Sequence, residues 1–442
     1  WYFPNTFHSV FCSLFPSVEW GNKFFHLLYV ALLHGSIFLV IKRLGGNQWY
    51  GLLAILFTFN YNLTFGFVGF AISIPLLIVL FYATLLFIAT EQKRFSFMIC
   101  ILLMLLFFMH AQNALLGLLL YATLILFHFR RRLKKSVIYL VLTPAPLLLL
   151  IVVWWFSRAS ENEVSTLIYL KDYYLTEYLQ NFAIRFRIIA FDNFQLREGI
   201  AGLLIAAFFF LTIFVPLFLS RVRGTNTLMS NTSEVMYAGI FFLLTASCYL
   251  FAPDKLPGQS PIFQRFCTIT ILSLIILGSV ILGEAKLPWL KHFVIILLAS
   301  YTILWSEYIY TFSRQNKGFN EEFFEGIKPG HTLAGLIYEN SYRGRKVYIH
   351  FPNYFIVWKK GLSSSKIIDY RFGIVRRAAL GYELPLYDEL IGEHYMYLPQ
   401  YRRVDFLLTR GTPPAHDDEN IRHFKLWKKA PPWCLYENTR AD

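Results

Sequence analysis

Charged residues are scarce in this chain. Asp, Glu, Lys and Arg together make up 15% of its 442 residues, whereas a soluble globular protein has about 25%. Hydrophobic residues reach 56% and aromatic residues 19%. This composition excludes a disordered chain, a collagen-like fibre and a small secreted domain held together by disulfides. It is typical of a polytopic membrane protein, in which several apolar helices cross the bilayer.

Cysteine is also rare, and its positions show no metal-ligand spacing. The five cysteines form no CxxC pair, so we interpret them as packing residues. Walker A, HExxH, GxSxG and GxGxxG motifs are missing as well, so an ATPase, a zinc protease or a hydrolase has no support. No basic, aromatic groove of the nucleic-acid type is evident, and we expect no nucleic-acid partner.

Long apolar stretches dominate what is present. A helix needs about 20 mostly apolar residues to span the bilayer. Ten stretches approach or exceed that length, at 23–41, 49–61, 65–90, 96–110, 112–129, 135–156, 199–220, 235–252, 263–283 and 288–307. The stretches at 49–61 and 96–110 are short, which predicts tilted or partly re-entrant segments shielded by their neighbours.

The distribution of basic residues supports this assignment and gives an orientation. If Trp1 lies outside and each stretch crosses once, the five inner loops and their flanks hold 13 Lys and Arg residues against three acids. Loops on the cytoplasmic side of a membrane are enriched in Lys and Arg. The net charge of +14 is then a property of cytoplasmic loops, and the protein is predicted to be an integral, multi-pass membrane protein.

Two regions are predicted to lie outside the membrane. Residues 1–307 form the transmembrane domain, with a large outer loop at 157–198, and residues 308–442 form a small extracytoplasmic α/β domain. In the latter domain the pattern predicts strands at 347–350 and 405–408, helical turns at 333–339 and 386–391, and a strand pair at 425–427 and 433–436. The predicted fold class is therefore mainly α, with ten spans and a small C-terminal α/β domain.

Polar residues gather at the predicted outer ends of the spans, whereas the span interiors contain almost no charge. The lack of buried charge argues against an ion-coupled transporter. A guanidinium can bind two phosphate oxygens at once, and an imidazole can donate a hydrogen bond or relay a proton. We therefore predict that a lipid-linked phosphate binds among Asn60, Asn62, His110, Arg185, Arg187, Asp192 and Arg265.

Each of these residues also has a purely structural interpretation. Arg265 at the start of a span is also consistent with a side chain that reaches the lipid headgroups. His110, Asn60 and Asn62 are residue types that cap or terminate helices. Asp192 is consistent with a solvated loop acid.

The layout resembles the GT-C superfamily, polytopic glycosyltransferases that use polyprenyl-phosphate-linked sugars. The resemblance rests on the many spans, the turn Asn60-Tyr61-Asn62-Leu63-Thr64-Phe65-Gly66-Phe67, the His at the end of a later span and the outer α/β domain. It implies a catalytic Asp or Glu in the first outer loop. Glu19 is the acid that precedes the first visible span, so it is the candidate within this chain. Because the chain begins with Trp1, we expect an eleventh span and the usual acid upstream.

The resemblance also implies a reaction. A sugar would pass from a polyprenyl-phosphate carrier to a glycan, lipid or protein acceptor on the outer face, with inversion by direct displacement. A carboxylate would activate the acceptor, and Arg265, with Arg185 or Arg187, would neutralise the leaving phosphate. A divalent metal, Mg²⁺ or Mn²⁺, occurs in such enzymes, and nothing in the sequence requires one.

Two alternatives belong to other functional classes. The chain contains 45 Phe and 27 Tyr, and aromatic surface often forms interfaces. A non-catalytic scaffold or accessory subunit with membrane partners is therefore the main alternative. A flippase or lipid transporter is a third, although the lack of charge within the spans disfavours it.

Overall fold

The computed structural model describes residues 6–158, 232–253, 261–283, 288–363, 404–411 and 423–439. The chain is mainly helical, with a small sheet towards its C-terminus. It divides into two compact units, Trp1–Tyr301 and Thr302–Asp442. The boundary lies within one helix, six residues before the end of the predicted transmembrane domain.

The helices are numbered here in chain order. The described helices are α1 (Phe7–Ser13), α2 (Val18–Arg43), α3 (Gln48–Gly51), α4 (Tyr61–Thr64), α5 (Val68–Thr90), α6 (Lys93–Met109), α7 (Ala111–His128), α8 (Leu133–Leu142), α9 (Ala145–Arg158), α10 (Thr232–Phe251), α11 (Phe266–Leu282), α12 (Pro288–Gln315) and α13 (Tyr354–Lys359). A 3₁₀ helix, Leu52–Phe57, follows α3, and another, Phe263–Arg265, leads into α11.

Six of the described helical stretches are long and apolar enough to cross a membrane. They are Val18–Arg43, Val68–Thr90, Ala111–His128, Ser233–Phe251, Phe263–Leu282 and Trp289–Gln315. Helices α8 and α9 meet at a 49° bend and would make a seventh span if they act as one. Pro144 lies at this bend, where its ring and missing N–H interrupt helical hydrogen bonding.

Most predicted spans coincide with helices, but the stretch at 49–61 does not form one helix. The structure divides it among α3, the 3₁₀ helix Leu52–Phe57 and the start of α4. Asn60 causes the second break, because its side chain binds the Phe57 carbonyl and caps α4 instead of continuing the helix. The stretch at 96–110 is α6, which has 17 residues, and the stretch at 199–220 lies outside the described residues.

Helix α5 lies at the centre of the first unit. It packs against α2, α6 and α7, and most of its side chains are buried. Gly117 lets α7 come close, since a Cβ atom there would lie 2.8 Å from Leu80 Cδ2. At the start of α5, Gly69 lets the helix approach the junction of α6 and α7, because a Cβ atom there would lie close to the Met109 carbonyl oxygen.

The second unit contains a mixed sheet. Its described strands are β1 (Thr332–Ile337), β2 (Leu362–Ser363), β3 (Phe406–Arg410), β4 (Phe424–Ala430) and β5 (Trp433–Asn438), in the order β2-β1-β3-β5-β4. Strand β1 runs parallel to β2 and β3, whereas β5 runs antiparallel to β3 and β4. An aromatic core that includes Phe319, Tyr348 and Trp433 covers the sheet.

This sheet confirms two of the predictions for the C-terminal region and corrects two others. Strand β3 and the pair β4–β5 form where the sequence predicts strands. The segment 333–339, predicted as a helical turn, is mostly β1, and 347–350, predicted as a strand, has no strand structure. The turn predicted at 386–391 lies outside the described part of the chain.

Candidate functional site

The loop between the 3₁₀ helix and α5 is shaped by two asparagines and a glycine. Asn60 begins α4 by accepting a hydrogen bond from the backbone N–H of Asn62 at 3.0 Å. Gly66 then adopts φ +76°, a left-handed conformation that glycine tolerates best. The Phe67 N–H donates to the Asn62 carbonyl at 2.7 Å and closes the turn just before α5.

Asn60 is a structural residue of this loop. Its side chain is 1% exposed, and its amide donates to the Tyr29 hydroxyl and to the Phe57 carbonyl, both at 2.9 Å. These bonds tie the loop to α2. The helix-capping interpretation therefore accounts for the bond from the Asn62 N–H, whereas the bond to Tyr29 joins the loop to α2.

Three of the predicted site residues meet at the start of α11. Arg265 Nη1 donates to His110 Nε2 at 3.3 Å, and the Asn62 amide donates to the Arg265 carbonyl at 3.0 Å. Arg265 and His110 are 8% and 9% exposed, and Asn62 is fully buried. Residues from three distant parts of the sequence thus form one cluster, which we call the Arg265 cluster (Asn62, His110 and Arg265).

An aromatic ring supports the guanidinium. Arg265 Cζ lies 3.9 Å from the centre of the Phe67 ring, a close cation–π contact. The His110 ring packs edge-on against Phe70 at 4.9 Å, and Phe70 packs against Phe266 at 5.6 Å. Phe67 and Phe70 hold the two polar side chains in place, so neither side chain needs a partner of opposite charge to fix its orientation.

The Arg265 cluster contains hydrogen-bond donors without acceptors. Arg265 Nε and His110 Nδ1 are buried, and among the described residues neither atom has a hydrogen-bond partner and Arg265 forms no ion pair. Since His110 Nε2 accepts from Arg265, we assign the imidazole proton to Nδ1. A buried guanidinium without an anion is costly, because its lost hydration is not replaced.

Two long helices also begin at the Arg265 cluster. Phe67 precedes α5 and His110 precedes α7, and neither residue caps its helix with a side-chain hydrogen bond. The first turn of a helix carries free N–H groups and a partial positive charge. Both helix N-termini therefore add to the positive potential of Arg265, and the arrangement favours an anion with several oxygens.

Buried acceptors accompany these donors. Within the described part of the chain, no hydrogen-bond donor reaches Asn62 Oδ1 or Asn113 Oδ1. Asn113 lies in the first turn of α7, where its amide donates to Ser73 Oγ at 2.6 Å. Asn113 and Phe67 are not among the predicted phosphate-binding residues. Asn113 stands beside His110 at the predicted outer boundary, and Phe67 belongs to the turn on which the family resemblance rests.

The remaining predicted residues are not part of the described cluster. Glu19 lies in the first turn of α2, half-buried, where a carboxylate interacts favourably with the helix dipole. Arg185, Arg187 and Asp192 lie outside the described residues.

The donor set of the described cluster does not fit a Mg²⁺ or Mn²⁺ site. These ions prefer carboxylate, carbonyl and water oxygens, and the cluster presents a guanidinium and an imidazole. No group of three His, Cys, Asp or Glu residues in the described ranges is arranged to hold a metal.

Comparisons with known proteins identify no family for this chain. No protein-family model, no curated protein and no solved structure matches this chain significantly.

Proposed function

We propose that this chain is a membrane glycosyltransferase of the GT-C type, which transfers a sugar from a polyprenyl-phosphate carrier to an acceptor. The observation that carries the proposal is the Arg265 cluster, in which two buried N–H donors lack acceptors and two helix N-termini converge. A phosphate monoanion or diester would accept hydrogen bonds from both donors and neutralise the guanidinium.

The position of the cluster favours a phosphate that is attached to a lipid. His110 stands between α6 and α7, and Arg265 stands at the start of the helical stretch Phe263–Leu282. Both residues therefore lie at the ends of apolar helices. A lipid-linked phosphate would reach this level while its hydrocarbon tail stays among the apolar helix surfaces.

The opposite ends of these helices support an orientation. Helix α6 begins at Lys93 and is about 25 Å long, so Lys93 and Arg94 lie far from His110. Near that distal end, Glu91 pairs with Arg132 and accepts a hydrogen bond from Lys135, which lowers the pKa of Glu91. By the positive-inside rule we propose that this basic end faces the cytoplasm.

By the same rule, we propose that the Arg265 cluster faces the outer side of the membrane. We also propose that the C-terminal unit is extracytoplasmic.

The chemistry follows from the cluster. The acceptor oxygen attacks the anomeric carbon, the bond from that carbon to the phosphate oxygen breaks, and the acceptor proton passes to a carboxylate, for which Glu19 is the candidate in this chain. Charge then grows on the leaving phosphate. Arg265 Nε and His110 Nδ1 are already held in place to donate to it, so they stabilise the transition state more than the substrate.

A matched pair of arginine variants tests the proposal. Arg94 is exposed and also stacks on a phenylalanine, with Cζ 4.8 Å from the Phe95 ring, but it lies at the far end of α6. Binding of undecaprenyl phosphate to the full chain in nanodiscs is measured for wild type, Arg265→Gln and Arg94→Gln. Because hydrogen bonds to charged groups contribute about 1.5–3 kcal/mol, we expect Arg265→Gln to weaken binding at least tenfold.

The control and a functional readout complete this test. Arg94→Gln should bind like wild type, and transfer of a radiolabelled sugar from the lipid carrier to membrane acceptors should fall only in Arg265→Gln. Unchanged binding in a folded Arg265→Gln protein contradicts the proposal and favours the accessory-subunit alternative.

A further inference from the structure

The buried acceptors at the Arg265 cluster are not explained by a phosphate. The Asn62 amide group is oriented by its bond to the Arg265 carbonyl, so its free atom is the acceptor Oδ1. A phosphate diester offers only acceptor oxygens, which repel Oδ1. A ligand that satisfies this site must therefore also carry O–H donors next to its phosphate.

An exposed aromatic residue, Phe65, follows Asn62 by three residues in the same turn. The left-handed Gly66 lets Phe65 and Phe67 stack nearly parallel, with ring centres 6.0 Å apart and planes inclined by 12°. The Arg265 guanidinium also packs against the Phe67 ring. Tyr61 also packs against Phe65, with ring centres 4.5 Å apart. Phe65 is nevertheless 51% exposed, so part of its ring surface stays open in this aromatic group.

We propose that the turn Tyr61–Phe67 binds the sugar of the lipid-linked donor. The C–H face of the sugar ring packs on Phe65, and a sugar hydroxyl donates to Asn62 Oδ1. A pyranose has both an apolar ring face and hydroxyl donors, and its phosphate is one bond away from the ring, so it matches the ring, the acceptor and the Arg265 cluster together. This inference rests on the proposed function.

The turn then acts as a specificity element. Arg265 and His110 bind the phosphate whether or not a sugar is attached. The turn Tyr61–Phe67 adds affinity only for the loaded carrier, which favours entry of the donor and release of the sugar-free lipid phosphate.

Three lipid probes separate the sugar contribution from the phosphate contribution. Binding of undecaprenyl phosphate and of undecaprenyl-phosphate mannose and glucose is measured for the full chain in nanodiscs. We expect wild type to prefer the hexosyl lipids by about three- to tenfold, the range of a favourable stacking contact. In Phe65→Leu this preference should disappear, while the affinity for undecaprenyl phosphate stays the same.

Phe97 provides the matched control. It is also exposed, at 68%, but it lies near the start of α6, away from His110. Phe97→Leu should keep the hexosyl preference. Asn62→Leu should also lose the hexosyl preference. If Asn62→Leu does not fold, the comparison of Phe65→Leu with Phe97→Leu alone tests whether the turn binds the sugar.

Three outcomes overturn the inference. An equal loss of affinity for all probes in Phe65→Leu would show a contact with the lipid tail, and the proposed function would stand. Retention of the preference in Phe65→Leu would show that the sugar binds elsewhere. Wild-type protein that binds none of the probes would overturn the proposed function together with this inference.

Discussion

The proposed function depends most on one residue, Arg265. A charged guanidinium that is 8% exposed gains little from solvent. Its described compensation is one imidazole, at 3.3 Å, and one aromatic face, at 3.9 Å. A cation–π contact contributes about 0.5–2 kcal/mol, which is less than the several kcal/mol of desolvation for a buried ion. The part of the desolvation free energy that these two contacts do not offset is the physical reason to expect an anionic ligand.

Asn60 illustrates a residue whose role is stability. Its almost fully buried side chain donates to the Tyr29 hydroxyl and to the carbonyls of Phe57 and Thr58, and it accepts from the Asn62 N–H. Asn60→Ala leaves the Tyr29 hydroxyl and the Asn62 N–H without these partners, and we expect a loss of about 2–4 kcal/mol. The thermal unfolding midpoint of the detergent-solubilised chain measures this change.

Asn47 supplies the comparison for Asn60. Its side chain accepts one described hydrogen bond, from the Tyr50 N–H, and it is only half-buried. Asn47→Ala should therefore lower the unfolding midpoint by clearly less than Asn60→Ala. Equal shifts in both variants would show that the loop at Asn60 is less important for stability than its hydrogen bonds indicate.

The sequence predicts part of the site at this scale. Asn62, His110 and Arg265 are predicted at one membrane boundary because each stands at the end of an apolar stretch, and the structure brings them into contact. The support from Phe67 is not visible in the sequence, since it depends on the left-handed Gly66 in the turn. The role of Asn113 depends on how α5 and α7 pack, and one sequence does not contain that information.

At the scale of elements, the approach of α5 to the α6–α7 junction positions the cluster. A Cβ atom on Gly69 would lie 2.8 Å from the Met109 carbonyl oxygen. Backbone atoms give way less easily than the tip of a side chain. Gly69→Ala should push the start of α5 away and shift Phe70 from His110.

We expect Gly69→Ala to weaken binding of undecaprenyl phosphate severalfold and to lower the unfolding midpoint. Gly35, on α2, has open space around its Cβ position, so Gly35→Ala should leave binding unchanged. It should also be neutral or stabilising by up to about 1 kcal/mol, because alanine favours helix. Wild-type binding in Gly69→Ala would contradict this account of the close approach.

The strands show where sequence patterns are ambiguous. Strand β1 lies between two parallel neighbours and is buried at all six positions. A strand buried on both faces has no alternation, so its short apolar run also suits a helical turn. Strands β4 and β5 were easier to recognise because paired apolar runs flank Pro431-Pro432. Tyr348 lies in an aromatic core instead of a strand, stacked on Phe312, because tertiary packing overrides β propensity.

The whole molecule combines an apolar helical unit with a small sheet-containing unit. The first unit holds the Arg265 cluster at one end of α6 and α7 and the basic loop of Arg132 and Lys135 at the other. The lengths of α6 and α7 set this separation. The sequence already predicts it, because both helices are apolar stretches and the basic residues lie at one end of them. The separation supports a protein that receives a lipid phosphate at one surface and keeps its basic loops at the other.

An experimental structure of the full chain with bound undecaprenyl phosphate tests the central claim most directly. The account predicts phosphate oxygens within hydrogen-bond distance of Arg265 Nε and His110 Nδ1, with the lipid tail along the apolar helices. A structure in which an acidic side chain of this protein pairs with Arg265, or in which the phosphate binds away from the Arg265 cluster, would contradict it.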